Sequence, residues 1–431
     1  MFKKDGIQIE KVLVLAVLND KQKEAHFYYS LDELKSLVTT AGGEVIQEIV
    51  QKRTSPHRAT YLGKGKLESI KEEHDLEEID LIIANEELSG TQIRNLQDEL
   101  GVRVIDRSQL ILDIFAARAQ TKEGQLQVEL AQYNYMLPRL QGQGLELSRL
   151  GGGIGTRGPG ETKLESDRRH ILRRINDIEK RLKVIVNRRK QHRSYREKTN
   201  TFQIAIVGYT NAGKSTLFNH LTASDSLQED KLFATLDPLT RQLRLPTGLE
   251  VIITDTVGFI QDLPTGLIAA FKSTLEEVQE ADLIYHVVDL SAPNKEDHEE
   301  TVYRQLKELN AENIPLITLY NKKDLISEDS FLPHSVPYLL VSALSESSIK
   351  EILDKTCIMV KEQWDKYHTF IPDERANNLS LLKKKSLVEE VYYEEDKKGY
   401  DVIGYVNPTH DIMKVIKEYQ KNDKQYDNDQ Y

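Results

Sequence analysis

The chain has 431 residues, enough at about 150 residues per domain for two to four domains, with 39% hydrophobic and 29% charged residues. Its single cysteine, Cys357, excludes a disulfide framework and any cysteine-based zinc site. A formal net charge of −11 speaks against a general nucleic-acid binder unless positive charge is concentrated locally.

In chain order, Val12–Leu18 is the first apolar run. It is too short for the roughly 20 residues that a bilayer core requires, and no small-residue cleavage site follows it, so a buried strand without a membrane span is expected. Together with the lone cysteine this points to a cytoplasmic protein. Further strands are expected at Glu44–Val50, Leu81–Ala84 and Val102–Ile105, with helices at Leu31–Thr39, Leu67–Glu73 and Thr91–Leu100. That alternation predicts an N-terminal α/β domain with a largely parallel sheet, spanning 1–115. Two heptad seams follow. Leu126, Leu130, Tyr133, Leu137 and Leu140 mark one helix, ended or kinked at Pro138. Ile171, Ile175, Ile178, Leu182 and Ile185 mark the next. They predict an antiparallel helical pair over 116–199.

Residues 141–160, between the seams, hold eight glycines interleaved with Arg149 and Arg157. A flexible linker is one reading. The other is a polyanion contact, because Arg139–Lys198 carries 17 Lys and Arg against 7 Asp and Glu, a net +10 in a chain whose remainder is −21. Arg149, Arg157, Arg168, Arg169, Arg173 and Arg174 are the candidate RNA contacts. A second α/β pattern runs over 200–365. The last residues, 366–431, contain an expected strand pair at Leu387–Tyr393 and Tyr400–Val406, a helix at Asp411–Tyr419 and a polar, fraying tail, hence a small α+β domain.

The segment Gly208-Tyr209-Thr210-Asn211-Ala212-Gly213-Lys214-Ser215 fits the phosphate-binding loop, between an expected strand at Phe202–Val207 and a helix at Ser215–Leu221. Its backbone N–H groups and helix N-terminus suit an anion. Lys214 would reach the β- and γ-phosphates, and Ser215 would bind Mg²⁺. Asp255-Thr-Val-Gly258 closes the strand Val251–Thr254. Asp255 can hold Mg²⁺ through water, and the Gly258 N–H can touch the γ-phosphate. After the strand Leu316–Tyr320 comes Asn321-Lys322-Lys323-Asp324, which looks like a guanine-reading motif. A carboxylate at Asp324 accepts from guanine N1–H and the 2-amino group together, a pair of donors that adenine lacks. Ser342-Ala343-Leu344, after the strand Tyr338–Val341, resembles the loop whose backbone contacts the guanine oxygen. These elements predict a P-loop GTPase domain that binds GTP and GDP. Between the phosphate loop and Asp255, Phe233–Arg241 is the candidate switch, with Thr235 and Thr240 as alternatives for the Mg²⁺ shell.

The chain resembles the HflX-type GTPases. The resemblance rests on YLGKGKLESI (61–70), QVELAQYNYMLPRL (127–140), SRLGGGIGTRGPGETKLESDRR (148–169), GYTNAGKSTLFN (208–219), FATLDP (233–238) and DTVGFI (255–260). It covers roughly residues 10–365 and leaves the C-terminal part less clear. FATLDP implies that Phe233, Ala234 and Thr235 form the switch, with Thr235 on Mg²⁺. Asn211 matches relatives that hold a monovalent cation, so K⁺ or a plain loop contact stands there. A monomer is expected, and the resemblance implies that its basic arm and N-terminal domain bind the large ribosomal subunit and its ribosomal RNA. GTP would favour binding and hydrolysis release, with splitting of stalled ribosomes under stress as the outcome. Phe259 stands where Ras-like enzymes place a water-orienting Gln, which predicts slow hydrolysis without a partner. Two rivals are a GTP-gated scaffold with little turnover and an ATP-dependent RNA-remodelling activity suggested by Gly63–Lys66, which lacks phosphate-loop spacing.

Overall fold

The structure, a computed structural model, describes residues 9–20, 24–73, 75–140, 159–199, 201–222, 238–260, 277–326 and 333–428. Two compact units divide the chain between Ile185 and Val186. The first contains β1 (Lys11–Asn19), α1 (Glu24–Ala41), β2 (Glu44–Arg53), α2 (Lys64–Glu73), β3 (Leu81–Ala84), α3 (Gly90–Leu100), β4 (Arg103–Asp106), α4 (Arg107–Arg118) and α5 (Lys122–Arg139). Its sheet is entirely parallel, in the order β2-β1-β3-β4. β1 is central, so both of its faces are covered and Val12–Leu18 is buried without interruption.

Helix α4 has no counterpart in the sequence reading. Leu110, Ile111, Leu112, Ile114 and Phe115 are all buried, so the helix carries no polar face to reveal its period. In α5, Leu126 is buried, while Leu130, Tyr133, Leu137 and Leu140 are half-buried. Gly124, Val128 and Ala131 are the other buried positions, so the deepest face lies beside the heptad seam. Pro138 sits in the last turn and the helix ends one residue later. α6 (Pro159–Thr199) starts inside the segment read as a glycine-rich loop, and proline's fixed φ suits the first helical position. Ile171, Ile175 and Ile178 are buried, and Arg174 Nε donates to Glu129 Oε1 of α5 at 2.8 Å.

The second unit contains β5 (Gln203–Gly208), α7 (Lys214–Thr222), β6 (Leu239–Arg244), β7 (Glu250–Asp255), β8 (Leu283–Asp289), α8 (Lys295–Glu308), β9 (Leu316–Asn321), β10 (Tyr338–Leu340) and α9 (Glu346–Gln363). The sheet order is β10-β9-β8-β5-β7-β6, parallel except for β6. Part of the candidate switch is therefore strand: Leu239, Thr240 and Arg241 pair with β7, and Thr240 Oγ1 lies 3.1 Å from Thr254 Oγ1.

The same unit continues through β11 (Asp365–Pro372), α10 (Asn377–Lys385), β12 (Leu387–Glu394), β13 (Gly399–Val406) and α11 (Ile412–Asn428). Both expected strands are present, joined by a third: the order is β11-β13-β12, all antiparallel. α11 runs beyond the expected Tyr419, because nothing in KNDKQYDN supplies a Gly or Pro stop. Leu387 and Trp364 belong to the same buried cluster as Phe202, Leu243, Leu245 and Leu249, and the Phe202 and Trp364 rings meet edge to face at 5.8 Å.

Candidate active site

The phosphate loop leaves β5 at Gly208, where the backbone takes φ +153° and passes so close to Val287 that a Cβ would lie 2.2 Å from its carbonyl oxygen. Asn211 occupies the left-handed region at φ +60°, a conformation in which asparagine is tolerated better than most side chains, and it is exposed. Gly213, at φ +93°, faces the Asn321 amide, and a Cβ there would stand 2.2 Å from Asn321 Nδ2. These constraints require glycine at both ends of the loop.

Lys214 opens α7 with its side chain buried, and its Nζ donates to the Tyr209 carbonyl at 2.7 Å. Burial pushes its ammonium down to about 8, against the attraction of Asp255. The next residue, Ser215, donates from Oγ to Asp255 Oδ2 at 2.8 Å. Asp255 ends β7 and is fully buried. A hydroxyl and a carboxylate held together at the start of a helix form a hard-oxygen donor set of the kind Mg²⁺ takes. Gly258 lies against Lys214: a Cβ there would fall 2.9 Å from Nζ and 2.8 Å from Thr210 Cγ2. The segment after Asp255 is also tied to the loop through the backbone. Thr210 N donates to Phe259 O at 2.8 Å and Phe259 N donates to Gly208 O at 3.1 Å. The Phe259 side chain is buried.

On the other side of the loop, Asn321 Nδ2 donates to Ala212 O at 2.9 Å, and Ala343 N donates to Asn321 Oδ1 at 2.8 Å. Lys322 is left-handed at φ +65°, and its Nζ meets Asp289 Oδ2 at 2.6 Å. Asp324 sits in the following short helical turn and is exposed. Ser342 is buried, with its N–H donated to Ser348 Oγ at 3.1 Å, whereas Leu344 is exposed. The residues of the four motifs therefore lie at the carboxyl ends of β5, β7 and β9 and after β10, on one edge of one sheet. Phe233, Ala234 and Thr235 lie outside the described residues.

The comparisons with known proteins follow this geometry. Residues 28–116 match the family described as GTP-binding GTPase N-terminal, 118–196 the GTP-binding GTPase middle region, and 203–322 the 50S ribosome-binding GTPase family. The protein called GTPase HflX from Alkalihalophilus pseudofirmus is 48% identical over 411 residues, covering 95% of this chain and 97% of its own. The chain belongs to the HflX family of GTPases. Its relative from Caldanaerobacter subterraneus is also 48% identical, over 91% of this chain and 90% of its own. A solved structure described as an SsGBP and GDP complex is 27% identical, covers 82% of this chain and 99% of its own, and has a TM-score of 0.46. Membership of the HflX family makes the chain a GTPase, and the general Mg²⁺ requirement of such enzymes agrees with the Ser215–Asp255 pair. Among the described residues no helix is long and apolar enough to cross a membrane.

Several residues around the site carried no readable signal in the sequence. Asp289, at the end of β8, accepts from Ser291 N at 2.9 Å and holds Lys322. The Tyr209 ring stacks on His298 of α8 at 3.9 Å, and burial pushes that imidazole down to about 4. His286 of β8 is fully buried, and burial together with Lys214 pushes it down to about 3. These partners come from different elements, and single positions without a motif announce none of them. Of the candidate RNA contacts, Arg149 and Arg157 lie outside the described residues. Arg168, Arg169 and Arg173 are exposed on α6, with Arg169 3.4 Å from Glu165, while Arg174 is held by Glu129.

Proposed function

We propose that this chain is a cytoplasmic, monomeric GTPase that binds the large ribosomal subunit through ribosomal RNA and splits or rescues stalled ribosomes under stress. The observation that carries the reading is the pairing, in one acidic chain, of a Lys214–Asp255 phosphate site with a segment of net charge +10 whose Arg168, Arg169 and Arg173 are exposed. The match of residues 203–322 to the family described as 50S ribosome-binding GTPase supports it. We assign nucleotide work to 200–365, RNA contact to the arm 116–199 and the N-terminal domain 1–115, and leave 366–431 as a small C-terminal domain.

In this reading the loop Gly208–Ser215 wraps the phosphates with backbone N–H groups, and Lys214 exchanges the Tyr209 carbonyl for β- and γ-phosphate oxygens. Ser215, Asp255 and Thr235 hold Mg²⁺, which when bound neutralises charge on the phosphates. Gly258 presents its N–H to the γ-phosphate, and Thr235 reports its presence. Asp324 accepts from guanine N1–H and the 2-amino group, next to the Asn321–Ala343 contact, while Lys322 and Leu344 border the base. Asn211 contributes either a K⁺ ligand or a plain loop contact. Phe259 cannot polarise water, so the hydrolytic geometry is completed by the ribosome.

Sedimentation of the full chain with purified ribosomal subunits tests this. Co-migration with the large subunit is expected with a non-hydrolysable GTP analogue and not with GDP, together with faster single-turnover hydrolysis on the subunit. Equal distribution in both nucleotide states, or a fast basal rate that subunits leave unchanged, overturns it.

A further inference from the structure

Where α3, α4 and α5 come together, the first unit holds a cavity of about 700 Å³, within the size range of small-ligand sites. Leu112, Ile93 and Met136 give it apolar walls, and Met136 is 45% exposed although it faces this hollow. Gln109 and Gln132 add two amides, each with one donor edge and one acceptor edge.

One wall is rigid. Arg139 donates from Nη1 to Tyr135 O at 2.9 Å and from Nη2 to Leu88 O at 2.7 Å, with Asp106 Oδ2 at 3.2 Å. Its guanidinium lies 3.5 Å from the centre of the Tyr135 ring. Glu87 Oε1 accepts from Nη2 as well, at 2.9 Å, so the side chain is immobilised, and Arg139 Nε is buried with no hydrogen-bond partner among the described residues. Burial holds the Tyr135 phenol in its neutral form. The opposite side carries Glu129, already paired with Arg174, together with Tyr133 and Asp113.

This lining discriminates between ligand classes. Asp113 and Glu129 make the interior hostile to a phosphate, while the apolar walls and the half-buried Tyr133 ring suit a flat, uncharged ring. The two amides match a rim of mixed donors and acceptors, including a ring carbonyl. A nucleobase has that shape and that rim, and unstacked bases are what proteins read in single-stranded RNA, by aromatic stacking and edge hydrogen bonds. The bond from Arg174 of α6 to Glu129 on the cavity lining brings α6, with its exposed Arg173, alongside, so cations able to hold flanking phosphates are near.

We propose that this cavity takes one unstacked base of a single-stranded RNA, with the flanking phosphates on the exposed arginines of α6. The proposal rests on the RNA-binding reading above and deepens it from charge to base recognition.

The test uses the full chain with a non-hydrolysable GTP analogue and a fluorescein-labelled, 12-nucleotide single-stranded RNA pool substituted with 4-thiouridine. Tyr133→Ala and Gln132→Ala should each weaken binding, Tyr133→Ala by about tenfold, the scale of one lost base–aromatic stack. Photo-crosslinks should map to the peptide 122–139 and disappear in Tyr133→Ala, with GTP hydrolysis and melting temperature unchanged. A fully paired RNA hairpin should bind no better to the parent chain than to either variant. Salt-sensitive RNA binding that neither variant alters, or crosslinks confined to α6, overturns the cavity and leaves the RNA reading intact. Absence of RNA binding by the parent chain overturns both.

Discussion

The Asn321 amide nitrogen donates to the Ala212 carbonyl at 2.9 Å, joining the end of β9 to the phosphate loop across 109 residues of sequence. The same side chain accepts from Ala343 N, so one amide fixes both the phosphate loop and the loop after β10. All three groups are buried, and removing the amide leaves a backbone donor and a backbone acceptor unpaired. Asn321→Ala should therefore lower stability by about 3 kcal/mol in denaturant unfolding and weaken GDP binding at least tenfold. A variant with parental affinity and stability would show that the loops hold their positions without this link.

Lys214→Ala should abolish tight triphosphate binding without lowering the melting temperature, because the buried amine is already disfavoured by its own desolvation. The pH dependence carries a second expectation. The free enzyme's ammonium is pushed down to about 8, and a bound triphosphate supplies negative charge that raises it. Above pH 8 the neutral amine must take up a proton on binding, so GTP affinity should fall as pH rises from 8 to 9.5. Titration calorimetry at pH 9 in two buffers of different ionisation enthalpy should read close to one proton taken up. No uptake would remove Lys214 from phosphate contact.

Asp324 is exposed, and its carboxylate is open to a base. Asp324→Asn should shift preference from guanosine to xanthosine nucleotides, because xanthine carries an oxygen where guanine has the amino group and an amide donor fits it. Competition binding with GTP, XTP and ATP reads the change. Retained GTP preference would place guanine recognition elsewhere.

His286 offers a test of the core beneath the loop. Burial pushes it down to about 3, and neither ring nitrogen has a hydrogen-bond partner among the described residues. A histidine neutral in the fold and ordinary in the unfolded chain binds more protons when unfolded at any pH between those values. Its contribution is thus complete above pH 6.5 and is lost as pH falls towards 3. From pH 6.5 to 5 this amounts to about 2 kcal/mol. His286→Phe should keep the stability measured at pH 7.5 and lose less of it at pH 5. Parallel pH–stability curves for the two proteins would exclude His286 as a source of the acid sensitivity.

The nucleotide motifs were legible because their constraints are local: a glycine that must take φ +93°, a lysine and a serine at the first turn of a helix. The same held for β1, whose unbroken apolar run follows from its central place in a parallel sheet. What stayed hidden depended on partners far along the chain. β6 reads LTRQLR, half-buried at most except for Leu243, and only its pairing with β7 makes it a strand. That pairing holds Thr240, one of the two candidate switch threonines, against Thr254 within the sheet. β11 was obscured by its charged start and terminal Pro372, although Tyr367, Thr369 and Ile371 alternate inward. Arg174 looked like its basic neighbours until Glu129 was found beside it, because an ion pair between helices leaves no trace in either helix alone.

The shared cluster of Phe202, Trp364 and Leu387 changes where this protein can be cut. β12 supplies Leu387 to a core whose other members include Leu243, Leu245 and Leu249, at and beside the turn between β6 and β7, the strand that ends at Asp255. A chain trimmed after α9 would remove Trp364 and Leu387 from that core and leave the Phe202 ring without its edge-to-face partner, and each buried side chain of this kind is worth about 1.5–3 kcal/mol. The final third of the second unit is thus a lid on the back of the nucleotide domain rather than a detachable appendage. An insert or tag is better tolerated at the EEDKKG turn, between β12 and β13, than a truncation anywhere upstream of it.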